Sequence, residues 1–124
     1  MSHTRQKLLA FLAAQVAVFA LASLAHRGIL VSGYEHARAA VAETVIAAVL
    51  AVGLVVCLIR PAATRAAALA VQAFALLGVC VGLLMIAIGV GPRTGPDLVL
   101  HAVMLVTLVF GLLTARRAGA SAVE

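Results

Sequence analysis

The sequence predicts an all-α protein, a four-helix transmembrane bundle in up-down-up-down order. Three observations carry this reading. Hydrophobic residues make up 65% of the 124 residues and charged residues only 10%, against roughly half and about a quarter in a soluble domain. A chain this short exposes much of its surface when folded, and nine basic and four acidic side chains cannot cover that surface in water. The apolar residues gather into four runs, each close to the ~20 residues that a spanning helix needs. These properties exclude a soluble globular domain, a disordered chain and a disulfide-stapled secreted module.

The runs fall at about 8–25, 39–59, 66–90 and 98–115, within a single integral membrane domain covering 1–124. In each, apolar residues cover every face rather than one stripe, as in helices surrounded by lipid. Hydrocarbon offers no hydrogen bonds, so the backbone must bond to itself, and helices do this within one segment. No alternation of polar and apolar residues suggests barrel strands. Arg5 and Lys7 before the first run, and Ser23-Leu24-Ala25 at its end, are also features of a secretory signal peptide. The run is longer than the ~7–15 residues of a signal core, however, and reads as a retained helix.

Short connections force neighbouring helices antiparallel. Pro61 stops the second helix by removing a donor and crowding the preceding turn. The segment Gly91-Pro92-Arg93-Thr94-Gly95-Pro96 is dense in turn residues, and Asp97 then sits at the positive end of the fourth helix. The first connection, from His26 to about Arg38, is the longest. Residues 118–124 read as a frayed tail.

Basic residues orient the bundle. Arg5, Lys7, Arg60, Arg65, Arg116 and Arg117 fall on the side of the termini and the second loop. Arg27, Arg38 and Arg93 fall on the other. This bias places both termini in the cytoplasm of a bacterial inner membrane. The formal charge of +5 therefore serves topology and lipid headgroups. No basic cluster is interleaved with aromatics, so nucleic acid is excluded as a partner. The expected partners are the lipid bilayer and either a second copy of the chain or another membrane protein.

Two sets of residues suggest helix packing. Gly78 and Gly82 have small-xxx-small spacing, which allows close backbone approach inside the bundle or between protomers. Gln15 and Gln72 each lie roughly 10 Å into the membrane from the side of the termini, where buried amides bond across helices. Cys57 and Cys80 differ in depth by roughly 18 Å, beyond the ~7 Å limit for a disulfide.

The chemistry is concentrated at the opposite rim. His26, His36 and His101 lie there, with Glu35, Glu43, Asp97 and the one tyrosine, Tyr34. His36 and Glu43 share a face if the second helix begins early. Asp97 and His101 are one turn apart, so the carboxylate is expected to orient the imidazole. Glu43 lies just inside the apolar zone, where an ionisable residue is costly and tends to have a partner or a task. Its expected partners are Arg27, Arg38 or His101.

Several readings of this rim stay open. His26, His36, Glu43 and His101, with Glu35, Asp97 and Tyr34 behind them, form a pocket for a divalent metal ion or a small ligand. Two histidines from different helices suit haem b, or the rim suits a quinone, in the anchor subunit of a redox complex. Glu43 suits the proton carrier of a small exporter. A purely structural polar layer needs no ligand at all. Small multidrug-resistance exporters are similar in length and helix number, but their first-helix carboxylate is replaced here by Gln15 and their pocket aromatics are missing. No phosphate loop and no nucleophile elbow is present, so the reading leans away from an enzyme.

The segment His26-Arg27-Gly28-Ile29-Leu30-Val31-Ser32-Gly33-Tyr34-Glu35-His36, followed by Ala42-Glu43, resembles a stretch found in small uncharacterised four-helix bacterial membrane proteins. The resemblance covers the first two helices and their loop. It implies fold and membrane location and no activity.

Overall fold

The computed structural model describes residues 2–120. Its helices are α1 (His3–His26), α2 (Ala37–Ile59), α3 (Thr64–Ala87) and α4 (Gly95–Ala120), with a one-turn 3-10 helix at Pro61–Ala63 between α2 and α3. All four long helices have the length and hydropathy to cross a membrane, and the protein is a small membrane protein. Sequence-adjacent helices pack side by side and α1 closes the ring against α4. Across the ring, α1 meets α3, whereas α2 and α4 do not approach each other.

The helix ends follow from local chemistry. Ser2 caps α1 through its hydroxyl, which accepts from the Arg5 amide at 3.3 Å. Gly28, with φ of 71°, then turns the chain out of α1, a backbone region that β-carbons disfavour. The third run reads as far as residue 90, but α3 stops at Ala87. The amides of Val90 and Gly91 both bond back to the Met85 carbonyl at 2.9 Å, and Gly89 takes φ of 88°. Arg93 covers two further carbonyls there, Ile86 and Ala87. At the other end of the chain α4 continues through Ala120, past the start of the expected tail, and residues 121–124 of that tail lie outside the described residues.

Pro61 leaves a vacancy that the fold fills from a distance. Having no N–H, it cannot supply the i+4 donor that the Cys57 carbonyl would otherwise receive. The Arg5 guanidinium donates to that carbonyl at 2.8 Å, and the Thr64 hydroxyl lies 3.5 Å from it. A residue at the start of α1 thereby secures the end of α2.

Hydropathy does not distinguish the helix faces, but burial does. In α1 the buried positions are Leu8, Leu12, Gln15, Phe19, Ala22, Ser23 and His26. In α4 they are Asp97, His101, Met104, Leu108, Gly111 and Ala115. Steps of three and four are the spacing of a left-handed bundle seam. Other large apolar side chains of the bundle face outward: Val52, Leu77, Val99 and Phe110 are all exposed. Because lipid is as apolar as leucine, burying leucine gains little, and the seam is selected by fit and by hydrogen bonding. That is why Gln15, Ser23, His26, Glu43, Gln72, Asp97 and His101 lie on it.

Gln15 and Gln72 meet on the seam. The Gln15 amide nitrogen donates to Gln72 Oε1 at 2.9 Å and to the Thr107 carbonyl at 3.0 Å. The Gln72 nitrogen donates to Ala68 at 2.9 Å. Both glycines of the small-residue pair work inside the bundle: Gly78 faces Ile46 of α2 and Gly82 faces His101 of α4. Cys57 is buried, Cys80 is exposed, and both are free.

Candidate functional site

At the end of the bundle away from the termini, the loop from α1 to α2 lies over the helix ends. Its own contacts shape it. His36 caps α2: its Nδ1 accepts from the Ala39 amide at 3.2 Å, so its Nε2 carries the proton and donates to the Val90 carbonyl at 3.1 Å. The imidazole thus ties the start of α2 to the end of α3. The His36 amide also donates to the His26 carbonyl at 2.8 Å, which closes the loop. Glu35 is exposed and accepts from the Gly33 amide at 2.9 Å. It also packs against Gly28, where a β-carbon would come within 2.7 Å of its carboxylate.

Beneath the loop lies a buried triad. His26 Nδ1 is 2.8 Å from Glu43 Oε2, and His26 Nε2 is 3.0 Å from Asp97 Oδ1. The imidazole belongs to α1, Glu43 to α2 and Asp97 to α4. One ring therefore bridges two helices that do not otherwise approach each other. All three side chains are almost fully buried. Filling both N···O hydrogen bonds takes two protons. A neutral ring supplies one, so the other makes the ring an imidazolium or sits on a carboxyl group. Every such arrangement gives the triad one net negative charge.

Asp97 is held from its other side by Thr94. Its Oδ2 accepts from the Thr94 amide at 3.0 Å, while the Asp97 amide lies 3.3 Å from the Thr94 hydroxyl. This reciprocal cap satisfies the free donors at the start of α4 and aims Oδ1 at α1. The Asp97 carboxylate therefore serves His26 and not His101, contrary to the expectation from their spacing. What His101 receives is the Asp97 carbonyl, which accepts from Nδ1–H at 2.8 Å. Its Nε2 is thereby left an acceptor in the neutral ring, and it points toward Gly82, where a β-carbon would sit 3.1 Å away.

The expected partners of Glu43 are also revised. Glu43 bonds to His26, and Arg27 bonds instead to the Thr44 hydroxyl at 3.0 Å and to Ser23 Oγ at 3.3 Å. Ser23 in turn lies 2.7 Å from Thr44 Oγ1 and donates to the Ala40 carbonyl at 2.9 Å. Thr44 and Thr94 are not among the residues the sequence suggests for this region, and Ser23, close to His26 in the chain, is engaged by Ala40 and Thr44. The Thr94-x-x-Asp97 spacing is a capping-box pattern and is legible in the sequence. The Ser23–Thr44 contact depends on helix register and is not.

Two cavities flank the triad. The first, about 180 Å³, lies between α2 and α3, with Phe19, Ile46, Val79, Met85 and Met104 among its lining. Glu43, His101, His36 and Arg38 also border it. Ala42 and Val81 line it and are exposed, so it opens sideways between the two helices. The second, about 320 Å³, lies between α1 and α4, bordered by His26, Asp97, Tyr34 and Val31. Glu43 faces the first cavity, while His26 and Asp97 face the second.

The arrangement does not form the metal pocket that the sequence suggests. Among the described residues, no group of three or more histidine, cysteine, aspartate or glutamate side chains is placed to hold an ion. Both nitrogens of His26 and both of His36 are already engaged. Among the three histidines of this rim only His101 Nε2 is left with a lone pair, whereas axial ligation of haem by two histidines needs two. The structure does bring His26, Glu43 and Asp97 together, with His101 one turn below; the rings of His26 and His36 meet edge-on at 6.4 Å. Glu35 stays in the loop turn, and Tyr34 borders the second cavity. Comparison of the chain with family models, curated proteins and solved structures returns no match, so any activity has to be read from this geometry.

Proposed function

We propose that this small membrane protein binds a small, mostly apolar molecule at one rim of the bilayer, in the cavity between α2 and α3. The observation that carries the proposal is the cavity itself. At about 180 Å³ it exceeds the ~150 Å³ that suffices to take up benzene in a protein core. Its walls are hydrophobic, with Glu43 and His101 supplying polar atoms at one end, which is the usual composition of a small-molecule site. The triad beside it fixes the rotation of α1, α2 and α4 and so holds the pocket in shape. The role is binding rather than catalysis: no nucleophile is paired with a base at the cavity.

The wider setting is also proposed. The excess of basic residues at the end bearing the termini supports an orientation with both termini in the cytoplasm of a bacterial inner membrane. The resemblance of the first loop to small four-helix bacterial membrane proteins supports the same location. Reporter fusions at the two termini and in the Gly33 turn should report one side for both termini and the other for the turn.

Binding is tested by melting the detergent-solubilised protein with a one-ring series: toluene, benzyl alcohol and benzylamine. A saturable rise in melting temperature with at least one of them is expected, and Ala42→Phe should abolish it. Residue 42 is exposed on α2, so the added ring can enter the cavity without disturbing the seam. Absence of saturable binding by all three compounds would overturn the proposal.

A further inference from the structure

We infer that the ligand of this cavity is a primary ammonium ion on an apolar body. The inference rests on the proposed binding role and specifies its chemistry.

Arg38 is exposed at the mouth of the cavity, and the free polar atoms at its inner end are acceptors. Glu43 uses Oε2 for His26, and its Oε1 has no hydrogen-bond partner among the described residues. His101 donates from Nδ1 to the Asp97 carbonyl, so its Nε2 offers a lone pair. Gly82 keeps that nitrogen accessible, since any β-carbon there would press on it. A ligand bearing only carbonyl or ether oxygens would set acceptor against acceptor and leave buried groups unpaired, which costs about 1–3 kcal/mol for each group. A ligand with N–H donors satisfies both atoms.

Charge selects among donors. With Glu43 Oε1 unprotonated, the triad that fills its two hydrogen bonds carries one net negative charge. It does so within a span, where an uncompensated charge is costly. No arginine bonds to it: Arg27 is engaged by Ser23 and Thr44, and Arg93 by the carbonyls ending α3. Arg38 borders the cavity and is exposed at its mouth, five residues and thus about 7.5 Å of helix rise before Glu43. His36 is engaged through both nitrogens. A monovalent cation with N–H groups therefore neutralises the site and completes its hydrogen bonds in one step. The apolar remainder of the ligand fits the wall of Phe19, Ile46, Val79 and Met104.

A primary ammonium could reach this site in two forms. It could be a free lipophilic amine or the headgroup of phosphatidylethanolamine entering through the lateral opening, with its phosphate beside Arg38. The chemistry recognised at Glu43 and His101 is the same.

The experiment compares the dissociation constants of benzylammonium, benzyltrimethylammonium and benzyl alcohol for the detergent-solubilised protein. Benzylammonium should bind at least tenfold more tightly than either of the others. The first comparison isolates the N–H donors and the second isolates the charge. In Glu43→Gln the preference over benzyl alcohol should disappear while toluene still binds, and in His101→Phe it should fall at least threefold. Equal binding of all three probes would overturn the inference and leave the pocket reading intact. So would a preference that persists undiminished in whichever variant folds. Mass spectrometry of the intact protein in mixed micelles then distinguishes the sources. Selective retention of phosphatidylethanolamine over phosphatidylcholine, displaced by benzylammonium, identifies the headgroup; benzylammonium binding with no lipid selectivity identifies a free amine.

Discussion

The Gln72 amide fills the space in front of Gly111, so that α3 and α4 meet there with no β-carbon between them. A β-carbon at residue 111 would overlap Gln72 Oε1 and press on the Gln15 nitrogen. Both amides are fully buried and hydrogen-bonded across the bundle, and neither can move without breaking a bond. Gly111→Ala is therefore expected to destabilise the protein by about 1–3 kcal/mol, the usual cost of overpacking. Gly95→Ala, where the added carbon meets nothing within 4 Å, should change stability by no more than about 0.5 kcal/mol. Unfolding titrations in mixed detergent micelles would show the difference.

The glutamine pair should prove modest in energy. Hydrogen bonds between transmembrane helices average about 0.6 kcal/mol in coupling experiments. Gln15 Oε1 is itself buried with no partner among the described residues, so Gln15→Leu relieves one unsatisfied atom while stranding Gln72 Oε1. A double-mutant cycle with Gln15→Leu and Gln72→Leu should give a coupling energy near 0.6 kcal/mol, and not above about 2.

The triad should behave differently. His26→Leu leaves Glu43 and Asp97 buried without their shared partner. Removing one member of a buried ionic set costs about 3–5 kcal/mol, because the remaining charge is uncompensated. The loss is expected to be partly recovered when Glu43→Gln and Asp97→Asn are added to His26→Leu. If the triple variant is less stable than His26→Leu alone, the uncompensated-charge explanation fails.

His36 offers a test of its role as a cap. His36→Ala should cost about 1 kcal/mol for the lost cap, together with the link to Val90. His36→Asp restores an acceptor for the Ala39 amide but cannot donate to the Val90 carbonyl. Its stability should fall between the two. Had His36 instead been a metal ligand, alanine and aspartate would differ in metal response, and added zinc should shift the melting temperature of neither.

Some of the rim was legible in the chain and some was not. The shared depth of Gln15 and Gln72 follows from counting helix rise, and the position of Asp97 at a helix start follows from the turn residues before it. The partner of Asp97 could not be read from the four-residue interval to His101. Side chains on a helix lean toward its N-terminus, so the His101 ring folds back onto the Asp97 carbonyl. The Asp97 carboxylate, in the first turn, reaches past the helix end to Thr94 and His26. The bond between His26 and Glu43 similarly depends on how α1 and α2 are rotated against each other across a ten-residue loop.

The four spans, their order and the clustering of titratable groups at one rim were decided by composition and connection length. In hydrocarbon every backbone group must find its partner within its own helix, so an apolar run of sufficient length has little alternative. Packing alone decided which side chains face the bundle axis. When every face of a helix is apolar, hydropathy carries no information about its rotation. The rotation is set by where small residues permit approach and where polar atoms can pair, and it is this that places Glu43 and His101 beside one cavity and His26 between two carboxylates.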